Sequence, residues 1–150
     1  MKFKNPLLSV KDIEISKQFY KNVLGLHVIM DFGANITLTG GISLQTEETW
    51  GTFIGQKVQY GNGTELYFEE DNFDEFLKKL DTLPIQYIHP VKEQNWGQRV
   101  IRILDPDKHI IEIGENIKAV CKRFQQSDMS QEEIAKRMDV PLSYVQRMLR

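Results

Sequence analysis

The feature that most restricts this chain is an order of elements that occurs twice. Residues 3–10 read as a strand, with Leu8 and Val10 alternating against Ser9 and Lys11 in the period-2 manner of a half-buried sheet. A helix follows, carrying Ile13, Ile15, Phe19, Tyr20, Val23 and Leu24, with Gly25 as its stop and Ser16 as a residue able to begin a turn. Three short β-rich segments come next, 26–32, 35–39 and 41–46, punctuated by Gly33-Ala34 and Gly40-Gly41. Beyond a long connection, 47–63, the order repeats. Residues 64–69 form a strand, 74–83 a helix starting at Asp71 or Asn72, and 85–89, 98–104 and 109–114 three more strands. Two βαβββ units of this kind can pair their sheets into a curved, barrel-like cleft, and concave sites bind small ligands. The expected class is therefore α+β: modules at 1–46 and 64–115, the linker 47–63, and a helical C-terminal extension over 116–150.

The bulk properties fit such a protein and remove other classes. At 41% hydrophobic and 27% charged the composition is that of an ordinary globular chain. A formal net charge of -2 gives the chain as a whole no electrostatic reason to bind nucleic acid or a membrane surface. No apolar run approaches the roughly 20 residues a membrane span requires. The lone cysteine, Cys121, excludes an internal disulfide framework, and the cytoplasm is the expected location.

The alternation also says which polar side chains share a face. In Ile42-Ser43-Leu44-Gln45 the polar pair turns away from the helices, and in Glu65-Leu66-Tyr67-Phe68 Glu65 and Tyr67 do the same. Glu112, between Ile111 and Ile113, and Arg102, between Ile101 and Ile103, follow that rule. Charged residues set among apolar neighbours on a strand need partners.

Several short motifs resemble the vicinal oxygen chelate superfamily, which includes glyoxalase I, extradiol dioxygenases and bleomycin-resistance proteins. Leu8-Ser9-Val10-Lys11-Asp12, Ser16, Phe19-Tyr20 and Leu24-Gly25-Leu26 look like its opening; Trp96-Gly97, Asp105-Pro106-Asp107 and Ile111-Glu112-Ile113 look like its closing strands. The resemblance covers residues 3–115. Metal-using members hold one divalent ion with four side chains, two from each module, and the matching positions here are Asn5, Gln45 (or Ser43), Glu65 and Glu112. Two carboxylates remain and amides replace the other two ligands.

Two readings of the cleft follow. In the first, a divalent ion (Mg, Mn, Fe, Ni or Zn) lies between Glu65 and Glu112, with Asn5 and Gln45 completing its shell. Oxygen donors favour the harder ions. Glu65 and Glu112 would then serve lyase, isomerase or dioxygenase chemistry on a small oxygenated molecule. In the second, no metal is used: Arg102 neutralises the carboxylates, and Tyr67, Trp50 and Trp96 line a site for a small amphipathic molecule, as in sequestering members. A third reading leaves the two glutamates as partly solvated carboxylates without a task. The resemblance also implies a homodimer. The three histidines, His27, His89 and His109, lie on or beside strands without metal-ligand spacing, so each reads as a surface or strand-end residue.

The extension differs in kind. Segments 116–126, 130–139 and 142–150 read as helices, Ser130 and Glu133 form a capping box, and Pro141 precedes the last helix. Ile134-Ala135, Val140 and Val145 resemble a helix-turn-helix, with Asp139 where glycine is usual. Its reading helix would offer Ser143, Tyr144, Gln146, Arg147 and Arg150. The alternative is a hairpin packed on its own domain or a partner chain through Ile134, Met138, Leu142, Val145, Met148 and Leu149. With Glu132, Glu133 and Asp139 nearby, the charge balance favours the hairpin, and a nucleic-acid partner is not expected.

Overall fold

The computed structural model describes residues 1–150. It divides into two compact units, one of residues 1–64 with 105–109 and one of residues 65–104 with 110–150.

In the first unit the elements are β1 (Leu7–Val10), α1 (Ile13–Leu24), β2 (Val28–Asp31), β3 (Asn35–Leu38), β4 (Ile42–Thr46) and α2 (Glu47–Ile54). The sheet order is β1-β4-β3-β2. β1 runs parallel to β4 and the remaining neighbours are antiparallel. A parallel pair needs a crossover, and α1 with the β2–β3 hairpin supplies it. The helix starts one turn before Ser16: the Asp12 carboxylate accepts from the N–H groups of Glu14 and Ile15, while Ser16 is buried inside α1. The 105–109 turn is tied to this unit by Asp105, which accepts from the Tyr20 hydroxyl at 2.9 Å and from the N–H groups of Asp107 and His109. Val10, Tyr20, Ile36, Leu38 and Leu44 form the core.

In the second unit β5 (Glu65–Glu70), α3 (Phe73–Leu80), β6 (Gln86–Glu93), β7 (Arg99–Leu104) and β8 (Ile110–Glu115) repeat the pattern with sheet order β5-β8-β7-β6. Again the first and last strands are parallel. Phe73, Phe76 and Leu80 on α3 join Val100, Ile101, Ile103, Ile111 and Ile113 among the buried residues. Three helices close the chain: α4 (Ile117–Gln126), α5 (Gln131–Met138) and α6 (Leu142–Met148). They share a core of Val120, Cys121, Phe124, Ile134, Ala135, Met138 and Val145. The Ser130–Glu133 capping box is present.

Three elements differ from the expectations. The connection 47–63 is not all loop, because its first eight residues form α2, with Glu47 and Glu48 in the first turn and Gly55 as a left-handed cap. The first strand is shorter, starting after Pro6. The sixth is longer, running through Pro90 to Glu93. That length is tolerated because β6 is an edge strand with two register shifts, where a proline removes no needed donor.

Candidate functional site

The strand register of the second unit lines up four side chains in one row across the sheet. Tyr67 on β5 stands opposite Glu112 on β8, Glu112 opposite Arg102 on β7, and Arg102 opposite His89 on β6. Glu65, two residues before Tyr67, points to the same side. The alternation seen in the sequence thus becomes a set of contacts.

Arg102 is the centre of that set. Its Nε donates to Glu65 Oε2 at 2.9 Å and its Nη2 reaches Glu65 Oε1 at 3.4 Å. Nη2 also makes an ion pair with Glu112 Oε2. Nη1 lies 3.3 Å from His89 Nε2. His89 Nδ1 sits 2.7 Å from the Pro90 carbonyl, so the imidazole donates there and leaves Nε2 to accept from the guanidinium. One arginine therefore serves two carboxylates and an imidazole.

The two carboxylates sit in different surroundings. Glu112 is 8% exposed, whereas Glu65 is exposed. Burial pushes the Glu112 carboxyl above its ordinary range; the neighbouring Arg102 charge opposes that rise and the Glu65 charge adds to it. Arg102 is held further into its charged form, chiefly by its hydrogen bond to Glu65.

Beside the row runs a second chain of contacts. The Tyr67 hydroxyl accepts from Gln98 Nε2 at 2.9 Å and donates to Glu69 Oε1 at 3.1 Å. Gln98 Oε1 accepts from Trp96 Nε1 at 3.1 Å, and Gln98 Nε2 also donates to the Glu115 carbonyl. Burial raises the Tyr67 phenol, against the Gln98 hydrogen bond. Gly114 makes this approach possible, since a Cβ there would lie 2.7 Å from Gln98 Nε2 and 3.1 Å from the Tyr67 hydroxyl. Gln98 was not among the residues singled out from the sequence, and His89 was read as a strand-end residue. The one local signal for the first is the glycine within a strand pattern, at position 114.

The remaining predicted residues belong to the first unit, where the polar face is neutral. Asn5 Nδ2 donates to Ser43 Oγ at 2.6 Å, and Ser43 in turn meets Thr37 Oγ1 at 3.2 Å. Gln45 Oε1 accepts from Asn35 Nδ2 at 2.8 Å, and its Nε2 donates to Thr49. Trp50, on α2, lines a cavity of about 220 Å³ with Ile54, Gln56, Lys57, Val58 and Gln59. So the structure brings Glu65, Tyr67, Arg102 and Glu112 onto one sheet face and links Trp96 to it through Gln98. Asn5, Gln45 and Trp50 lie in the other unit. No three His, Cys, Asp or Glu side chains cluster in a way that could hold a metal ion.

Comparison with known proteins adds a family. The profile of the glyoxalase-like domain matches residues 3–118. No curated protein matches the chain. Among solved structures, a protein of unknown function from Agrobacterium tumefaciens is 36% identical with a TM-score of 0.69, over 77% of this chain and 94% of that one. A glyoxalase-related enzyme from Fulvimarina pelagi is 21% identical with a TM-score of 0.66, over 78% and 90%. A lactoylglutathione lyase from Agrobacterium tumefaciens is 22% identical with a TM-score of 0.60, over 75% and 92%. The last two show likeness of fold.

Proposed function

Since the chain belongs to the glyoxalase-like family of the vicinal oxygen chelate superfamily, we propose that its second sheet binds a small oxygenated, amphipathic molecule and does so without a resident divalent ion. The observation that carries this reading is Arg102 spanning Glu65 and Glu112. Both carboxylates that would hold a metal are already paired with one guanidinium, and a divalent cation beside it would meet like-charge repulsion. Of the amide candidates Gln45 fits poorly too, because its oxygen is engaged by Asn35. The donor set does not suit the ion.

In this reading Arg102 keeps one face toward the ligand and donates to a carbonyl or carboxylate oxygen. Tyr67 and Trp96, each partly exposed, supply flat apolar surface with a polar edge. Glu112, with its raised carboxyl, is the group able to take or return a proton when a ligand oxygen draws Arg102 away. That last role would make the protein an enzyme; binding alone needs only the arginine and the rings. No helix is long and apolar enough to cross a membrane. A cytoplasmic homodimer is part of the proposal. The resemblance supports it, as do the exposed Ile29, Met30 and Phe32 on and beside the edge strand β2.

A thermal-shift series tests the reading. Mg²⁺, Mn²⁺, Fe²⁺, Ni²⁺ and Zn²⁺ should leave the midpoint unchanged, while some members of a panel of aromatic and aliphatic oxo-acids should raise it. An acid at a hundredfold excess over its Kd adds about 2.7 kcal/mol, and Arg102→Met should abolish that gain. A stoichiometric divalent ion that stabilises wild type and not Glu112→Gln would overturn the metal-free reading.

A further inference from the structure

The closing three helices have a shape and a surface that the small-molecule site does not use. Ile134, Ala135 and Met138 of α5 are buried against Val145 of α6 and Val120, Cys121 and Phe124 of α4. Ala135 is the small residue of this shared core. The break between these helices is sharp. Asp139 takes a left-handed conformation, φ 55°, and caps α5, the Val140 N–H returns to the Ala135 carbonyl at 3.0 Å, and Pro141 forces a new start. Two short helices joined by a three-residue turn, with the second packed across the first through Val145, form a helix-turn-helix.

The outward face of α6 and its end is the second observation. Ser143, Gln146, Arg147 and Arg150 are exposed; the spacing i, i+3, i+4 puts the first three on one side of α6, and Arg150 follows the end of the helix. From Val140 to Arg150 there is no acidic residue. Residues 116–150 carry seven lysines and arginines against four acids, in a chain whose formal net charge is -2. Arg123 and Arg137, on α4 and α5, are engaged with Glu93 and Glu115. Arg147 lies over the Tyr144 ring at 5.2 Å. The acids of the hairpin stand on α5 and at the turn, and the Glu133 carboxylate is turned back onto the Ser130 N–H at 2.8 Å.

We propose that α6 is a recognition helix and that residues 116–150 bind double-stranded DNA through its major groove. The groove is about 12 Å wide and admits one helix. Arginine and glutamine are the side chains that pair bidentately with guanine and adenine edges, and serine reaches phosphates. On this face Gln146 and Arg147 are placed for base edges, and Ser143 and Arg150 flank them toward the two backbones. The charge of α6 matches a polyanion, which the sequence-wide balance conceals.

The test is fluorescence anisotropy of the full chain with a labelled duplex about three helical turns long and random in sequence, at ~50 mM salt and then rising salt. Binding is expected, with a log–log salt slope of about -0.9 for each phosphate contact made. The double variant Arg147→Glu, Arg150→Glu should weaken it by at least about tenfold with the thermal midpoint unchanged, because both residues are exposed. Arg147→Lys, Arg150→Lys should retain most of the affinity. Absence of binding by wild type at low salt would overturn the proposal. So would equal binding by the glutamate variant, or a stronger preference for single-stranded DNA or RNA of the same length.

Discussion

Two arginine–carboxylate clusters stand on the same pair of strands, β7 and β8, with opposite proportions. Around Arg102 one guanidinium is shared by two carboxylates, Glu65 and Glu112. Three residues further along β8, one carboxylate is shared by two guanidinia: Glu115 accepts from Arg99 and Arg123 at distances between 3.0 and 3.2 Å. Burial disfavours the ionised form at both glutamates. At Glu115 the hydrogen bonds from Arg99 and Arg123 outweigh it and hold the carboxyl below its ordinary range; at Glu112 a single shared arginine does not, and the carboxyl rises. Two guanidinia, held on their outer sides by Asp74 and Glu93, make Glu115 a fastening: Arg123 also reaches the Gly97 carbonyl at 2.6 Å and so ties α4 to the strands. At Glu112 the one guanidinium is shared with Glu65, and in the proposed reading this under-compensated carboxylate is the group that answers a ligand. On the proposed reading, similar side chains on adjacent stretches thus divide into a structural cluster at Glu115 and a ligand-binding one at Glu112.

The largest break in that comparison should come from removing the shared acid. Glu115→Leu leaves Arg99 and Arg123 with only their outer partners, Asp74 and Glu93, beside a buried apolar group, and should cost about 3 kcal/mol in urea unfolding at pH 7. The loss should grow smaller as pH falls. A carboxyl whose folded value is depressed contributes stability above its unfolded value, and that contribution disappears as pH drops through the folded value. A variant as stable as wild type at pH 7 would show that the tail is held by its apolar core alone.

Arg102→Met should do less, about 1–2 kcal/mol at pH 7, since Glu65 is already exposed to water and only Glu112 is left buried without its cation. Here too the loss should shrink toward acidic pH, because Glu112 then takes up a proton. Circular dichroism through a urea series at pH 5 and pH 7 checks it. A loss equal at both values would mean that the arginine acts by packing rather than by charge.

How far this contrast was legible in the sequence depends on the range of the contact. Period-2 alternation among isoleucines and leucines was enough to put Glu65, Tyr67, Arg102 and Glu112 on one face, because facing is a local property of a strand. Cross-strand partnership is not local. Nothing between Ile101 and Ile103 says that Arg102 will stand opposite Glu112 and His89. Gln98 was missed for the same reason: besides Trp96 two residues before it, its partners are Tyr67 and the Glu115 carbonyl, 31 and 17 residues away. Local signals were misread in two places. Asp12 caps α1 more directly than Ser16, and Glu47-Glu48 with Gly55 marked a helix inside the connection 47–63. The tail shows the converse. Its helices, capping box and turn were all readable, and nucleic-acid binding was set aside there because Glu132, Glu133 and Asp139 stand near Arg147 and Arg150 in sequence.

The smallest effect sharpens the comparison most, since it concerns one proton. A carboxyl whose folded value is raised contributes stability below its unfolded value and loses it as pH rises through the folded value. Glu112 should therefore make wild type lose stability relative to Glu112→Gln as pH climbs from about 4.5, its ordinary value, toward neutrality. The matching pair, wild type against Glu115→Gln, should diverge the other way, with wild type gaining on the variant as pH rises. Urea midpoints of the three proteins at half-unit steps give both differences in one experiment. Opposite slopes would mean that the proportion of arginine to carboxylate sets the two characters. Parallel slopes would mean that burial alone governs both glutamates, and Glu112 would lose its claim to be the group left free for a ligand.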